Sequence, residues 1–366
     1  MNQLSKNKKI IFAVLAASAV AAVSLFFLWR GTGFYTLPAE RLKSYPVEKY
    51  EVPPEAQWFT IDNARFGINA SGGDARATTD GINEALRYAK ESGYGFVRFE
   101  RGTYLIQCRW NDRFSAPNDG ILVPSGLTLD LSGSVFLIEP NGSPCYCVFG
   151  IVGQSGVRIL GGTLIGDREG HVYSPDPASP SHEWGFGICV CASGDITIQD
   201  VTIIDMTGDG IIVEGSYKAV LDGGTVSSGV SIYGCDISNC RRQGISVVGA
   251  VNGEIAQNTI HGINGTEPQS GIDLEPEFDH PVSGLKIYQN LIYGCAGGSI
   301  ICHGGSDYSV FANKCHGGSI SAVMCSGVEI YDNIIESGFI RIYRQAADTR
   351  AYNNQFDLFS RFIQGR

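Results

Sequence analysis

Apolar and polar positions repeat along the second half of the chain. Six-residue segments with apolar ends occupy 198–203, 232–237, 255–260, 287–292, 310–315, 330–335 and 351–356. Their last apolar positions are Ile203, Ile237, Ile260, Ile292, Cys315, Ile335 and Phe356, spaced 34, 23, 32, 23, 20 and 21 residues apart. A period just above twenty leaves no room for a helix between strands. It predicts one turn of a solenoid built from short parallel strands, with inward aliphatic and outward polar side chains alternating. A bend and a second strand follow most segments, with Ile211, Ile245, Ile272, Ile300 and Ile340 as the inward positions. The two long spacings predict loops inserted into single turns, where a rigid scaffold usually carries its binding site. Asn258, Asn290, Asn313, Asn333 and Asn354 hold one repeat position. They are expected at tight left-handed bends, with each amide bonded to the next turn.

Upstream, residues 127–138 and 157–164 read as two earlier coils, and 96–106 as the first. Before them Asp80 is placed to cap a helix carrying Ile82, Ala85, Leu86 and Ala89 on one face and ended by Gly93. Such a helix would plug the open end of the solenoid.

The first thirty residues are of a different kind. Lys6, Lys8 and Lys9 precede an uncharged run from Ile10 to Trp29. Twenty helical residues span roughly 30 Å, the thickness of a bilayer core. The lysines predict a single-pass anchor with the N-terminus cytoplasmic and the rest of the chain extracytoplasmic. Small residues between Ala16 and Ala22 fit a cleaved leader instead, which would release the protein. The expected division is 1–30 tip and anchor, 31–57 an extended Pro-containing stalk, and 58–366 the solenoid.

Formal charge is −10. Setting aside four cations in the first thirty residues leaves 23 cations against 37 acids, a balance that excludes nucleic acid as a partner. The 11 Cys are odd in number, so they do not form a complete disulfide framework. Cys145/Cys147 and Cys189/Cys191 are spaced so that both members of each pair share one face of a strand, and they read as small buried residues.

Three stretches then carry a resemblance: Phe66-Gly67, the run 79–86 from Thr79 to Leu86, and the run 97–106 containing Arg101-Gly102-Thr103-Tyr104. Together they resemble the opening of pectate-lyase-like proteins, an all-β superfamily of right-handed parallel β-helices with an N-terminal capping helix. The resemblance and repeats cover roughly 60–360. They imply a carbohydrate-active protein, since the superfamily includes glycoside hydrolases, polysaccharide lyases, epimerases, tailspikes and adhesins.

Alternation along the second strands places Glu214, Asp273, Glu275, Ile301, His303, Arg341 and Tyr343 on the outer face. Asp273 and Glu275, two residues apart, are the leading catalytic pair: one carboxyl to protonate a leaving oxygen, the other to activate water or attack. Asp209 and Glu214 are candidates to assist them. The insert 166–187 concentrates Arg168, His171, His182, Glu183 and Trp184, expected to contact a polysaccharide by charge, hydrogen bonding and ring stacking. Arg241 and Arg242, with His303 and Arg341, are candidate clamps for anionic groups. No cofactor is required; Asp273, Glu275, Glu277 and Asp279 form a candidate Ca2+ site. Three functions fit: a glycoside hydrolase, a lyase or epimerase acting on uronic acids, and a non-catalytic glycan-binding surface protein.

Overall fold

The computed structural model describes residues 42–109, 119–174, 181–216 and 225–364. The run from Ile10 to Trp29 lies outside the described residues, and no helix among those described is long and apolar enough to cross a membrane.

Short strands stack into three parallel sheets, and each full coil contributes one strand to each sheet. Sheet A runs from Trp58–Thr60 to Arg350–Tyr352, sheet B from Thr103–Ile106 to Gln355–Phe356, and sheet C from Ile121–Leu122 to Arg361–Gln364. The repeat read from the sequence is the register itself. Ile203, Ile237, Ile260, Ile292, Cys315, Ile335 and Phe356 pair in succession along sheet B. Ile211, Ile245, Ile272, Ile300, Ile320 and Ile340 do the same in sheet C, and all six are fully buried. Ile320 belongs to Ser319–Val323, a coil that the sequence alignment passed over. Each such isoleucine contributes about 1.5–3 kcal/mol of burial, and successive coils lie about 4.8 Å apart.

The asparagine ladder forms, by a different device from the one expected. Side-chain amides of Asn258, Asn290, Asn313 and Asn333 donate to the Oδ1 of the next member at 2.9–3.0 Å. The same oxygens also accept the preceding member's backbone N–H. The left-handed conformation falls on the residue before each asparagine: Gln257, Gln289, Ala312, Asp332 and Asn353, with φ between 52° and 57°. The asparagines are selected for hydrogen bonding at a buried bend, and their neighbours carry the turn.

Helix α1, Ala75–Glu91, closes the N-terminal end with Ile82, Ala85, Leu86 and Ala89 buried. It begins earlier than the sequence suggested. Asp74 is its N-cap, and Asp80 lies inside it, paired with Arg76 at 2.8 Å. Its docking is tight at Gly81, where a Cβ would approach Phe66 O to 2.2 Å.

The described part of the expected stalk is not free. Lys43 pairs with Asp332 at 2.8 Å, Tyr45 Oη donates to Asp332 at 2.6 Å, and Lys49 pairs with Asp200 at 2.7 Å. Tyr45 and Val47 cover an aromatic column on sheet A that includes Tyr233, Tyr288 and Phe311. These residues strap the outside of the helix because the column leaves apolar surface for them to bury. All eleven Cys are buried. The two Cys-x-Cys pairs do share a face: they join Phe186 and Ile212 in an apolar layer on the outside of sheet C.

Candidate active site on the outer face of sheet C

The chain enters three successive strands of sheet C through a glycine whose place a larger residue would crowd. A Cβ on Gly210 would lie 2.5 Å from Ile237 Cγ2, on Gly244 2.4 Å from Ile260 Cγ2, and on Gly271 2.6 Å from Ile292 Cγ2. These close approaches to sheet B hold the corner tight. They set the residues on either side, Asp209, Arg242, Gln243 and Asp273, in fixed rows.

Asp209 pairs with Gln243 in register, and Ser246 pairs with Asp273. The Asp209 carboxylate is fully buried and accepts Arg242 Nη1 at 2.8 Å and Ser246 Oγ at 2.7 Å. Gln243 Oε1 lies against the same Ser246 Oγ, while Gln243 Nε2 donates to Asp273 Oδ2 at 2.7 Å. One network thus runs from Arg242 through Asp209, Ser246 and Gln243 to Asp273. Asp273 is 3% exposed, and its Oδ1 has no hydrogen-bond partner. Burial, then the Glu275 charge, pushes the Asp273 carboxyl up to about 7, with Arg242 and Gln243 pulling against them. Glu275, more exposed, bonds His303 Nδ1 at 3.0 Å across adjacent coils. Burial works against the Arg242 charge, but Asp209, then Glu183, Glu277 and Asp273, outweigh it and raise its pKa.

The structure therefore brings together Asp209, Glu183, Arg242, Asp273, Glu275 and His303 of the residues picked from the sequence. It separates the others. Glu214 shares a column with Glu275, with Val248 between them. It is 1% exposed and accepts a hydrogen bond from Cys189 Sγ at 3.3 Å, inside the apolar layer. Trp184 packs against that same layer. Arg341 is three coils from Asp273, roughly 14 Å along the axis, and lies over the Tyr343 ring at 4.2 Å. Arg168 bonds Asn239 O at 2.7 Å and Asn264 Oδ1 at 2.9 Å, and Arg241 bonds the carbonyls of Ser181 and His182 at 3.0 and 3.3 Å. Both arginines staple loops.

His171 and His182 are largely buried and bonded to each other. Asp167 Oδ2 contacts His171 Nδ1 at 2.8 Å, and His171 Nε2 contacts His182 Nδ1 at 2.8 Å. No group of three or more His, Cys, Asp or Glu among the described residues is arranged to hold a metal ion, so the acids 273–279 do not form the expected Ca2+ site there.

Sequence reasoning missed Gln243, Ser246 and Asp167 as functional candidates. Gln243 was detectable, because Arg242-Gln243-Gly244 aligns with Gly208-Asp209-Gly210 and places an amide where the previous coil has an acid. Ser246 and Asp167 gave no comparable signal: each is an ordinary polar residue until the fold shows what faces it.

A family model described as a right handed beta helix region matches residues 186–358. The chain is 33% identical over 256 residues to the uncharacterized protein YclG of Bacillus subtilis (strain 168), covering 66% of this chain and 43% of that protein. It thus spans less than half the length of that relative. The A-module of mannuronan C-5 epimerase AlgE4 of Azotobacter vinelandii superposes with a TM-score of 0.54 at 13% identity, covering 84% of this chain and 95% of that one. Tailspike gp49 of Acinetobacter baumannii bacteriophage Fri1, a capsular polysaccharide depolymerase, superposes with a TM-score of 0.53 at 12% identity, covering 86% and 59%. At these identities the likeness is one of fold.

Proposed function

We propose that this chain, a right-handed parallel β-helix protein, is a polysaccharide-active enzyme that hydrolyses glycosidic bonds on the outer face of sheet C. The observation that carries this is Asp273. Its carboxyl is pushed up to about 7, one oxygen is fixed by Gln243 and the other has no protein partner. A carboxylic acid that keeps its proton near neutrality is what protonation of a leaving sugar oxygen requires. Glu275, two residues on and just past the end of the same strand, is the second carboxylate, oriented by His303. The Arg242–Asp209 pair beneath them is scaffold: it fixes Gln243 through Ser246 and adds a further negative charge that favours protonated Asp273.

The charge pattern favours a neutral glycan over a uronate. The central cation, Arg242, is already held by Asp209, with Glu183, Glu277 and Asp273 around it. A lyase or epimerase would need that cation, or another, to neutralise a substrate carboxylate. The apolar run from Ile10 to Trp29 supports an extracytoplasmic placement, which protease accessibility of the solenoid in intact cells tests.

Reducing-end release from a panel of polysaccharides tests the function. Asp273→Asn is expected to lose about 10²–10⁴-fold in kcat/KM, with Glu275→Gln as severe. Full activity in both variants would overturn the reading. Binding without turnover in the wild type would instead mark a glycan-binding surface protein.

A further inference from the structure

We infer that Asp167, His171 and His182 form a proton relay that stations a base, His182 Nε2, at the corner between sheets B and C. The proposed function does not require this relay. It adds a second proton-handling group, beside Asp209, and the chemistry it serves is removal of a proton from a hydroxyl or water in the groove.

The insert between Thr163–Ile165 and Trp184–Cys191 supplies all three residues. Three donors converge on Asp167 Oδ2: Asn141 N at 3.0 Å, Asn141 Nδ2 at 3.3 Å and His171 Nδ1 at 2.8 Å. That oxygen is therefore an acceptor, so His171 Nδ1 carries the hydrogen. In its neutral form His171 then offers only Nε2 as an acceptor, and the 2.8 Å contact requires His182 Nδ1 to donate to it. The remaining lone pair of the chain is on His182 Nε2, which bonds to none of the described residues and, unlike Asp167 Oδ1, is not among their buried orphan atoms. Asp167 and His171 side chains are fully buried, and His182 is 6% exposed. His182 holds a φ of 56°, a region that side-chain-bearing residues occupy only where surroundings impose it.

The proton count balances. A hydroxyl gives its proton to His182 Nε2 and keeps the electron pair. His182 Nδ1 passes its own proton to His171 Nε2. His171 Nδ1–H stays on Asp167. The net result is one proton stored on His171 beside a carboxylate, with His182 neutral in its other tautomer. The groups facing the pair suit this. Arg241, bonded to the His182 carbonyl, and His171 both oppose a charge on His182, whose pKa is lowered first by burial. Tyr173 and Tyr146 face His171 with ring centroids 4.7 and 6.3 Å away, and Tyr173 is itself covered by Arg241. Asp167 lies one ring inward, against His171 Nδ1.

The strand that His182 leads into neighbours the Asp209 coil through its backbone. Gly208 N donates to Gly185 O at 2.9 Å, a Cβ on Gly208 would lie 2.2 Å from Glu183 O, and Asp209 is the next residue.

The test uses the full chain and no substrate. Nitrogen-15 histidine spectra of the wild type above pH 8.5 are expected to show both rings as the Nδ1–H tautomer. Acylation by diethyl pyrocarbonate, read by peptide mass, is expected at His182 and slowed at least fivefold in Asp167→Asn. A purely structural staple closed to solvent would leave His182 unmodified, and that result overturns the proposal. So does an Nε2–H tautomer at His182 in the wild type, which decides the matter even if Asp167→Asn fails to fold. The same spectra in Asp273→Asn are expected to be unchanged, so failure of the relay and failure of the hydrolase reading are separable.

Discussion

If Asp273 holds its proton because it is buried, the protein must be less stable once that proton is lost, and replacing Asp273 must remove the penalty. Unfolded, the carboxyl titrates near 3.9; folded, burial and then Glu275 push it up to about 7. Between those values the native state binds a proton that the unfolded chain releases. Stability therefore falls as pH rises from about 4 to about 7 and is level above that. Three units at 1.36 kcal/mol each set the loss at about 4 kcal/mol. Asp273→Asn cannot ionise and escapes it. The new amide places a buried N–H where Oδ1 has no partner, a cost of about 1–3 kcal/mol at every pH. The two stability curves should thus cross. Below pH 4 the variant is the weaker protein by about 1–3 kcal/mol; at pH 8 it exceeds the wild type by about 1–3 kcal/mol while lacking activity. Urea unfolding followed by Trp fluorescence at half-unit pH steps measures this. Parallel curves would refute it, because they would mean that Asp273 ionises as easily folded as unfolded.

The remaining predictions concern the scaffold. Asn313→Ala removes bonds to Ile287 O at 2.8 Å and Asn333 Oδ1 at 3.0 Å and strands the Asn290 N–H groups that Asn313 accepts. It should cost about 3–5 kcal/mol, against about 1–2 for Asn354→Ala at the wetter end of the ladder; equal losses by urea titration would argue against a cooperative ladder. Arg242→Met leaves fully buried Asp209 without that cation and should cost about 3–5 kcal/mol, largely recovered in the double variant with Asp209→Asn. Gly271→Ala drives a Cβ to within 2.6 Å of Ile292 Cγ2. It should destabilise by about 1–3 kcal/mol and lower turnover more than Ile340→Val, a core change of similar cost three coils away.

The fold was legible because its physics is periodic. Coil spacing shows in the sequence as recurring Ile203, Ile237, Ile260 and Ile292, and the register carries them into one column. The Asp273–Glu275 face followed from alternation alone. What alternation does not carry is the environment on the outer side. Glu214 obeys the same parity as Glu275, yet lies in an apolar layer with Cys189 and Ile212, because neighbouring coils put sulfur and aliphatic groups beside it. The strap from Lys43 to Lys49 was missed because its partners, Asp332 and Asp200, are between 150 and 290 positions away. Prolines there looked like a spacer, while the tyrosine that docks it carries no local pattern.

The arginines show why the insert misled. A cation in a long loop near acids suggests a ligand clamp, but the corner between sheets B and C has its own electrostatic need. The carbonyls of Ser181, His182 and Asn239 at this corner are taken up by arginine side chains. Unpaired buried carbonyls are expensive, and a guanidinium with five donors is the cheapest single side chain that satisfies several. Arg168 therefore spans from the insert to Asn264, and Arg241 closes over Tyr173. By holding this wall rigid they leave Arg242 as the cation that faces the acids and fix the short path from His171 to His182, which leads into the strand three coils from Asp273. The positive charge of Arg168 and Arg241 thus goes into rigidity, while Arg242 sits among Asp209, Glu183, Glu277 and Asp273, the arrangement on which the proposed preference for an uncharged sugar rests.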